Sequence, residues 1–463
     1  MTKRVVRARS AASAGAGGVW SVAHRRLTVG LVATVTLAAC EALAVSTVMP
    51  RVARDLGLGG YGPALSAFFL GTVVGVLLGG AAADRFGARL PFLAAAVLFG
   101  TGLVVAGLAP SIAVLVLART LQGIGSGGYL PASYATVARC YAEPDRVRIF
   151  ALLATAWVAP GAVGPFVAGA LADTVGWRWV FIGLLPLVVT VAALTVPALP
   201  GPAPPDGAIR RLPVADALAV ATGVGLLLTA LDSTRWIIAA ALAPTGLVIG
   251  SRARRVLPAG VLRLRPGVPA AVVVQGLLAL SFITVDAFAP LAVTSVRGES
   301  VLVGAIAVAL DSLTWALGAW LADRLLPVRP PQTLIRAGFA LLAVGIGVEL
   351  ALLVPALPLV VGFAGGALAG LGIGLAYSPL SVAVLVASEP GTEGFASSAL
   401  LLFENLGFTF GTALVGALVA AGARGRWDPA MPLAVSWSSA AVVAVLGAVL
   451  AQRVRVDRGP NRR

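Results

Sequence analysis

From residue 27 almost to its end, the chain alternates long apolar runs with short polar breaks. Fourteen runs stand out, at 27–49, 62–82, 90–109, 111–138, 148–172, 179–198, 213–231, 235–251, 268–293, 301–322, 332–354, 357–386, 396–421 and 432–451. Most reach the roughly 20 residues that an α-helix needs to cross the ~30 Å hydrocarbon layer of a bilayer. Water is absent there, so a spanning backbone must satisfy its own polar groups, and a single run does so as helix. The pattern predicts an all-α, polytopic membrane protein with 14 transmembrane helices, of which the seventh and eighth are the weakest.

The break after the second run reads Gly79-Gly80-Ala81-Ala82-Ala83-Asp84-Arg85-Phe86-Gly87-Ala88-Arg89, a charged, glycine-bearing turn. It returns as Gly318-Ala319-Trp320-Leu321-Ala322-Asp323-Arg324, about 240 residues later. Other pairs keep nearly that offset: Glu41-Ala42 with Asp286-Ala287, Gly123-Ile124-Gly125 with Gly370-Leu371-Gly372, and Gly169-Ala170-Leu171 with Gly416-Ala417-Leu418. Such an internal duplication predicts two related helix bundles. Both copies of the Asp-Arg turn are flanked by arginine, so they belong on one side, and an even number of crossings must separate them. The seventh and eighth runs therefore cross together or not at all, and their lengths favour crossing. The expected organisation is a basic tail (1–26), a six-helix bundle (27–198), a linker with two additional helices (199–267, opened by Pro202, Pro204 and Pro205), a second six-helix bundle (268–451) and a basic tail (452–463).

Composition agrees. Residues are 59% hydrophobic and only 11% charged, with a mean hydropathy of +0.97, more apolar surface than a soluble core can hide. A net charge of +15 would suggest a nucleic-acid partner in a soluble protein. Here the placement of the arginines decides otherwise. One set of loops holds only Arg51, Arg54, Arg178, Arg235, Arg297, Arg424 and Arg426, while the alternate loops and both tails hold the rest apart from Arg119. By the positive-inside rule both termini are expected in the cytoplasm, with the chain in the cell (inner or plasma) membrane. Residues 1–26 lack the apolar centre of a secretory signal, and run 27–49 is long enough to remain as a span. Cys40 and Cys140 fall near opposite faces, which excludes a disulfide between them. The only histidine is His24, in the tail, so no metal site is expected, and without a Walker-type loop neither ATP nor any other cofactor is implied. No clustered nucleophile or soluble domain points to an enzyme.

Ionisable groups inside apolar runs are the candidate chemistry. A charged side chain at mid-membrane costs ~2.5–3.5 kcal/mol on insertion scales, so it is paired, protonated or in contact with water. Glu41 lies in the first run and Arg119, followed by Gln122, in the fourth. Asp286, Asp311 and Glu404 lie in the second half, with Asp311 and Glu404 read, like Glu41, as lining a central cavity and Asp286 as closer to the outer end. Arg119 cannot shed its charge and needs an acid or carbonyls. It has no basic counterpart in the second half, where Gly366 falls at the matching offset. Glu349, beside a loop, reads as solvated.

These motifs are similar to those of the major facilitator superfamily. Its turn between helices two and three is matched at Gly80, Asp84, Arg85, Gly87 and Arg89, with Ala88 departing, and repeated in part at Asp323 and Arg324. Glu41, nine residues before Pro50, resembles the helix-one signature of the fourteen-spanner drug/proton antiporters. Arg119 resembles the helix-four arginine. Gly164, Pro165 and Gly169 resemble the exporter motif of helix five, with Ala168 in place of a glycine and Pro160 in place of another. Trp177-Arg178-Trp179 resembles the start of helix six in the same branch, with Leu184 where asparagine is common.

The resemblance implies two pseudo-symmetric six-helix bundles with two extra central helices, a gate held by Asp84, and proton handling by Arg119, and leaves open which carboxylate carries the coupled proton. It also implies proton-coupled efflux of small hydrophobic or amphipathic compounds, drugs or antibiotics, by alternating access. The partners are then a small-molecule substrate, protons and membrane lipid. An exporter of an endogenous natural product or lipid, or a proton-coupled importer, shares the fold.

Overall fold

The computed structural model describes residues 19–21, 24–57, 60–141, 145, 148–149, 152–153, 156, 158–199, 214–232, 236–251, 257–388 and 393–454. Helices account for nearly all of them. The first half comprises α1 (Arg25–Leu56), α2 (Tyr61–Phe86), α3 (Arg89–Gly107), α4 (Ile112–Cys140), α5 (Val158–Thr174), α6 (Arg178–Ile182) and α7 (Leu185–Thr195). Between the halves stand α8 (Val214–Asp232) and α9 (Trp236–Gly250). The second half comprises α10 (Val268–Asp286), α11 (Ala289–Leu291), α12 (Val301–Leu325), α13 (Pro331–Glu349), α14 (Leu359–Ala387), α15 (Glu393–Gly425) and α16 (Ala430–Leu450).

Each of the fourteen expected runs carries helix. Ten of the helical segments are long and apolar enough among the described residues to cross a membrane. α4, α5, α8 and α9 stand outside that number, α5 with its 17 residues and α8 and α9 as shorter apolar helices. Two runs expected as single helices are broken. The sixth divides at Gly183 and Leu184, just before Pro186. The ninth stops at Asp286, restarts at Ala289 and runs into a wider π turn over Ala292–Val296. Pro290 explains the second break: without an N–H it leaves the carbonyl four residues back unpaired.

The duplication is repeated in the packing. α2 lies along α4 as α12 lies along α14; α3 packs on α4 as α13 does on α14; α1 meets α5 as α10 meets α15. Glycine sets the close spacing in both halves. A Cβ at Gly123 would overlap the Phe68 carbonyl oxygen and one at Gly127 that of Thr72. In the second half Gly370 stands in the same relation to Asp311 and Gly374 to Trp315. The halves then meet through reciprocal contacts, α2 with α15 and α5 with α12. α8 and α9, central in the sequence, pack together, and α8 lies against the α2–α15 seam, where Val220 and Val224 join Val73 and Leu402.

A cavity of about 730 Å³ lies between the C-terminal ends of α1 and α15 and the segment after α11, lined in part by Pro50, Arg54, Thr294, Ser295, Glu299 and Arg424. None of the acids expected to line a central cavity borders it. The same end carries a polar belt. Arg51 pairs with Asp173, Trp177 Nε1 donates to Asp55 Oδ2 at 2.7 Å, and Arg178 Nη2 donates to the Ala109 carbonyl at 3.2 Å. Trp177 is therefore a buried hydrogen-bonding residue rather than an interfacial anchor, whereas Trp179 is exposed. At the opposite end Thr28 bonds the Tyr141 hydroxyl at 2.9 Å, and Gly267 N donates to the Arg453 carbonyl at 3.0 Å. The starts of α1 and α10 and the end of α16 thus share one face.

Candidate functional site

Two clusters of ionisable groups are buried, one in each half. In the first, α1 presents Glu41 and α4 presents Arg119 and Gln122, all at most 2% exposed. Arg119 Nη1 donates to Glu41 Oε1 and, at 2.7 Å, to Gln122 Oε1, and its Nε donates to the Ala64 carbonyl at 3.4 Å. Its guanidinium stands 4.3 Å above the Phe68 ring. The sequence left the partner of Arg119 open; the crossing of α1 and α4 supplies it. Glu41 Oε2 and Gln122 Nε2 are buried without a hydrogen-bond partner. The pair can act as a switch, because a carboxyl beside a fixed cation releases its proton more readily than the same carboxyl with the cation withdrawn.

The second cluster is built from Asp311 on α12, Glu349 at the end of α13 and Asp286 at the end of α10. Asp311 and Glu349 are 1% exposed and Asp286 7%. Glu349 is thus buried, not solvated. Its run continues as a 3-10 turn over Leu350–Leu353, which keeps its side chain inside the bundle. Asp286 belongs to the same cluster, within hydrogen-bonding reach of Asp311. Glu404 is apart from both groups, half-buried on α15. Its Oε2 accepts from Gln275 Nε2 and from the Tyr377 hydroxyl, each at 2.9 Å. Tyr377 borders Trp315 at 5.8 Å between ring centroids, and Trp315 meets Phe282 edge-on at 5.3 Å. An acid beside three aromatic rings suits an amphipathic cation.

The two Asp-Arg turns lie at helix ends, away from both clusters. The Asp84 side chain is outside the described residues. Arg85 is exposed, 5.1 Å above the Phe86 ring, and Arg89 is exposed at the start of α3. Gly87 has φ +76°, a left-handed backbone that glycine adopts without strain, and Gly80 meets Pro131 at ordinary contact distance, 3.6 Å. Asp323 and Arg324 are exposed at the end of α12, the guanidinium 3.8 Å above the Trp320 ring.

On α5, a Cβ at Gly169 would lie 3.4 Å from Leu302 Cα, but one at Gly164 would meet nothing within 4 Å. Pro165 is inside the helix. The close approach to α12 belongs to Gly161, whose Cβ would come within 2.8 Å of Ser312. Within the helix-five motif, Gly164 is thus not a point of close approach.

Tyr61, Gln275, Tyr377 and the burial of Glu349 escaped the sequence reading. Tyr61 on α2 donates its hydroxyl to the Ala287 carbonyl at 3.0 Å and stacks on Phe288, so one half caps the backbone break in the other. Pro290 was the available signal that the helix breaks here; nothing in the sequence named Tyr61 as a donor to it.

A solved bacterial homologue of the human lysosomal transporter Spinster, in an inward-facing and occupied conformation, superposes with a TM-score of 0.68 at 16% identity, covering 94% of this chain and 97% of that one. An uncharacterised MFS-type transporter of Mycobacterium tuberculosis is 29% identical over 416 residues, covering 84% of this chain. This chain spans 58% of that relative's length. A multidrug resistance protein B homolog of the same species is 26% identical over 376 residues, covering 77% of this chain and 68% of the relative. The model of the Major Facilitator Superfamily matches residues 30–412, and with the duplicated bundles and reciprocal seam described above, the chain belongs to that superfamily of membrane transporters.

Proposed function

We propose that the protein is a proton-coupled efflux transporter that exchanges hydrogen ions for small hydrophobic or amphipathic compounds by alternating access. The observation that carries this reading is the buried Glu41–Arg119 pair. A carboxylate and a guanidinium held at depth are expensive to desolvate, and hydrophobic residues in their place would stabilise the bundle as well. Their presence is accounted for if Glu41 alternately gives up and regains a proton as Arg119 approaches and withdraws. The Glu404 cluster with Tyr377, Trp315 and Phe282 is the proposed cargo surface, selective for aromatic and cationic compounds. All fourteen helical runs cross the membrane in this reading, with both termini cytoplasmic and Asp84 closing the inner gate.

The test uses protein reconstituted in liposomes with an imposed pH difference and ethidium as the probe cargo. Ethidium should accumulate against its gradient only while the pH difference lasts, and Glu41→Gln should abolish that accumulation while leaving the protein folded. Equal final ethidium ratios with and without the pH difference would overturn the reading.

A further inference from the structure

The packing allows the two halves to be set in register residue by residue. Gly123 abuts the Phe68 carbonyl and Gly370 the Asp311 carbonyl; Gly127 abuts Thr72 and Gly374 abuts Trp315, so Asp311 occupies the place of Phe68. Likewise a Cβ at Gly102 would press on Gln122 N at 2.8 Å and one at Gly345 on Ala369 N, so Glu349, four residues after Gly345, occupies the place of Ala106. Arg119 stands seven positions after Ile112, where α4 begins, and Gly366 seven after Leu359, where α14 begins. In the second half the guanidinium has therefore been deleted, and two carboxyls stand where the first half has a ring and a methyl group.

The two carboxyls converge on the space that a side chain at Gly366 would enter. A Cβ at Gly366 would overlap Asp311 Oδ1 and lie 3.4 Å from Glu349 Oε1. Asp311 Oδ1 and both Glu349 oxygens are buried without a hydrogen-bond partner. Among the described residues no cation of the neighbouring elements pairs with them; Arg297, after α11, donates to the Val354 and Leu357 carbonyls. Tyr377, the only titratable group of α14, is bonded to Glu404. Asp173 of α5 pairs with Arg51, and Glu41 of α1 pairs with Arg119. Arg336 sits near the far end of α13, α16 has no ionisable side chain, and the Tyr61 hydroxyl is engaged by Ala287.

Three carboxylates so placed cannot all be charged, because each charge is costly in hydrocarbon and each repels the others. Two carboxyl groups can hydrogen-bond, as Asp286 and Asp311 are placed to do, only through a proton on one of them. Among the described residues no three acids are arranged to hold a metal ion.

We propose that Asp311, Glu349 and Asp286 form a second proton-binding site, distinct from Glu41–Arg119, that loads and releases hydrogen ions from the second half. Its part in the transport cycle rests on the proton-coupled reading above; its existence does not.

The first measurement is therefore made without cargo. Infrared spectra of the purified full-length protein are followed through a pH titration, reading the carbonyl stretch of protonated carboxyls. Asp311→Asn and Glu349→Gln should each remove part of the titrating band, and that part should persist in Glu41→Gln. Asp286→Asn serves as a third variant should one of these fail to elute as a single species. A band untouched by these substitutions would overturn the site, as would a band displaced by sodium or calcium chloride at constant pH.

The second measurement is the number of protons exchanged per ethidium in liposomes, expected to fall by one in Glu349→Gln. If wild-type ethidium movement ignores the pH difference while the infrared band responds as expected, the coupling reading fails and the proton site stands.

Discussion

Among the described residues the first half of the molecule buries an acid with its base, and the second buries acids with none. The two are otherwise built alike: the same helices pack in the same order, and glycine presses on carbonyl at matching positions. The shared part is therefore scaffold, fixed by the need to bring helices within glycine distance in lipid. The divergent part, Arg119 against Gly366, Phe68 against Asp311 and Ala106 against Glu349, is where the chemistry has separated. In the first half charge is balanced from within the protein. In the second, Asp311 and Glu349 keep buried oxygens without a hydrogen-bond partner.

The largest effect should follow from unbalancing the first half. Arg119→Leu strands Glu41 as an uncompensated buried acid, and the expected cost is about 3–5 kcal/mol, read as a lower thermal midpoint of the detergent-solubilised protein. Adding Glu41→Leu should restore most of the stability but no pH-driven ethidium accumulation. If the double variant is no more stable than the single one, the pair does not neutralise itself.

Next come the shared contacts. Gly123→Ala and Gly370→Ala each drive a methyl group into a facing carbonyl, and each should cost about 1–3 kcal/mol by the same thermal measurement. A large difference between them would break the equivalence on which the residue-by-residue register depends.

A smaller loss, about 0.5–1.5 kcal/mol, is expected for Tyr61→Phe, which removes the donor to Ala287 across the seam and keeps the stacking on Phe288. Labels placed on α2 and α11 should then report a larger separation of the two halves at that end, and an unchanged distance would remove Tyr61 from any role in closing it. Gly164→Ala should be smallest, within about 0.5 kcal/mol of wild type, because its side chain would enter open space. Gly161→Ala, facing Ser312, is the matched control and should cost more.

Much of this was legible in the sequence. The turn around Asp84, its copy at Asp323, and the acids and arginine inside apolar runs all stand out because a charge in a run of about 20 apolar residues is costly wherever it falls. Glu349 was misread because it is near the end of its run, and sequence position cannot tell whether a helix end is covered by its neighbours. Gly164 and Gly161 could not be told apart for a related reason: a glycine-rich helix allows close approach but does not say which glycine faces the partner helix. Nor could periodicity foresee that α8 would lie on the seam between the halves, since an all-round apolar helix shows no preferred face.

By itself, then, the sequence determined the apolar runs, the duplication and the identities of the buried charges other than Glu349, all of which depend on local hydropathy and on comparison of the chain with itself. Only the tertiary structure decided who balances each charge. Glu41 and Arg119 are 78 residues apart in the chain, and Asp311 and Glu349 lie on different helices. Which of these meet depends on how the helices cross, and for α12, α13 and α14 that is set by the glycine contacts between them.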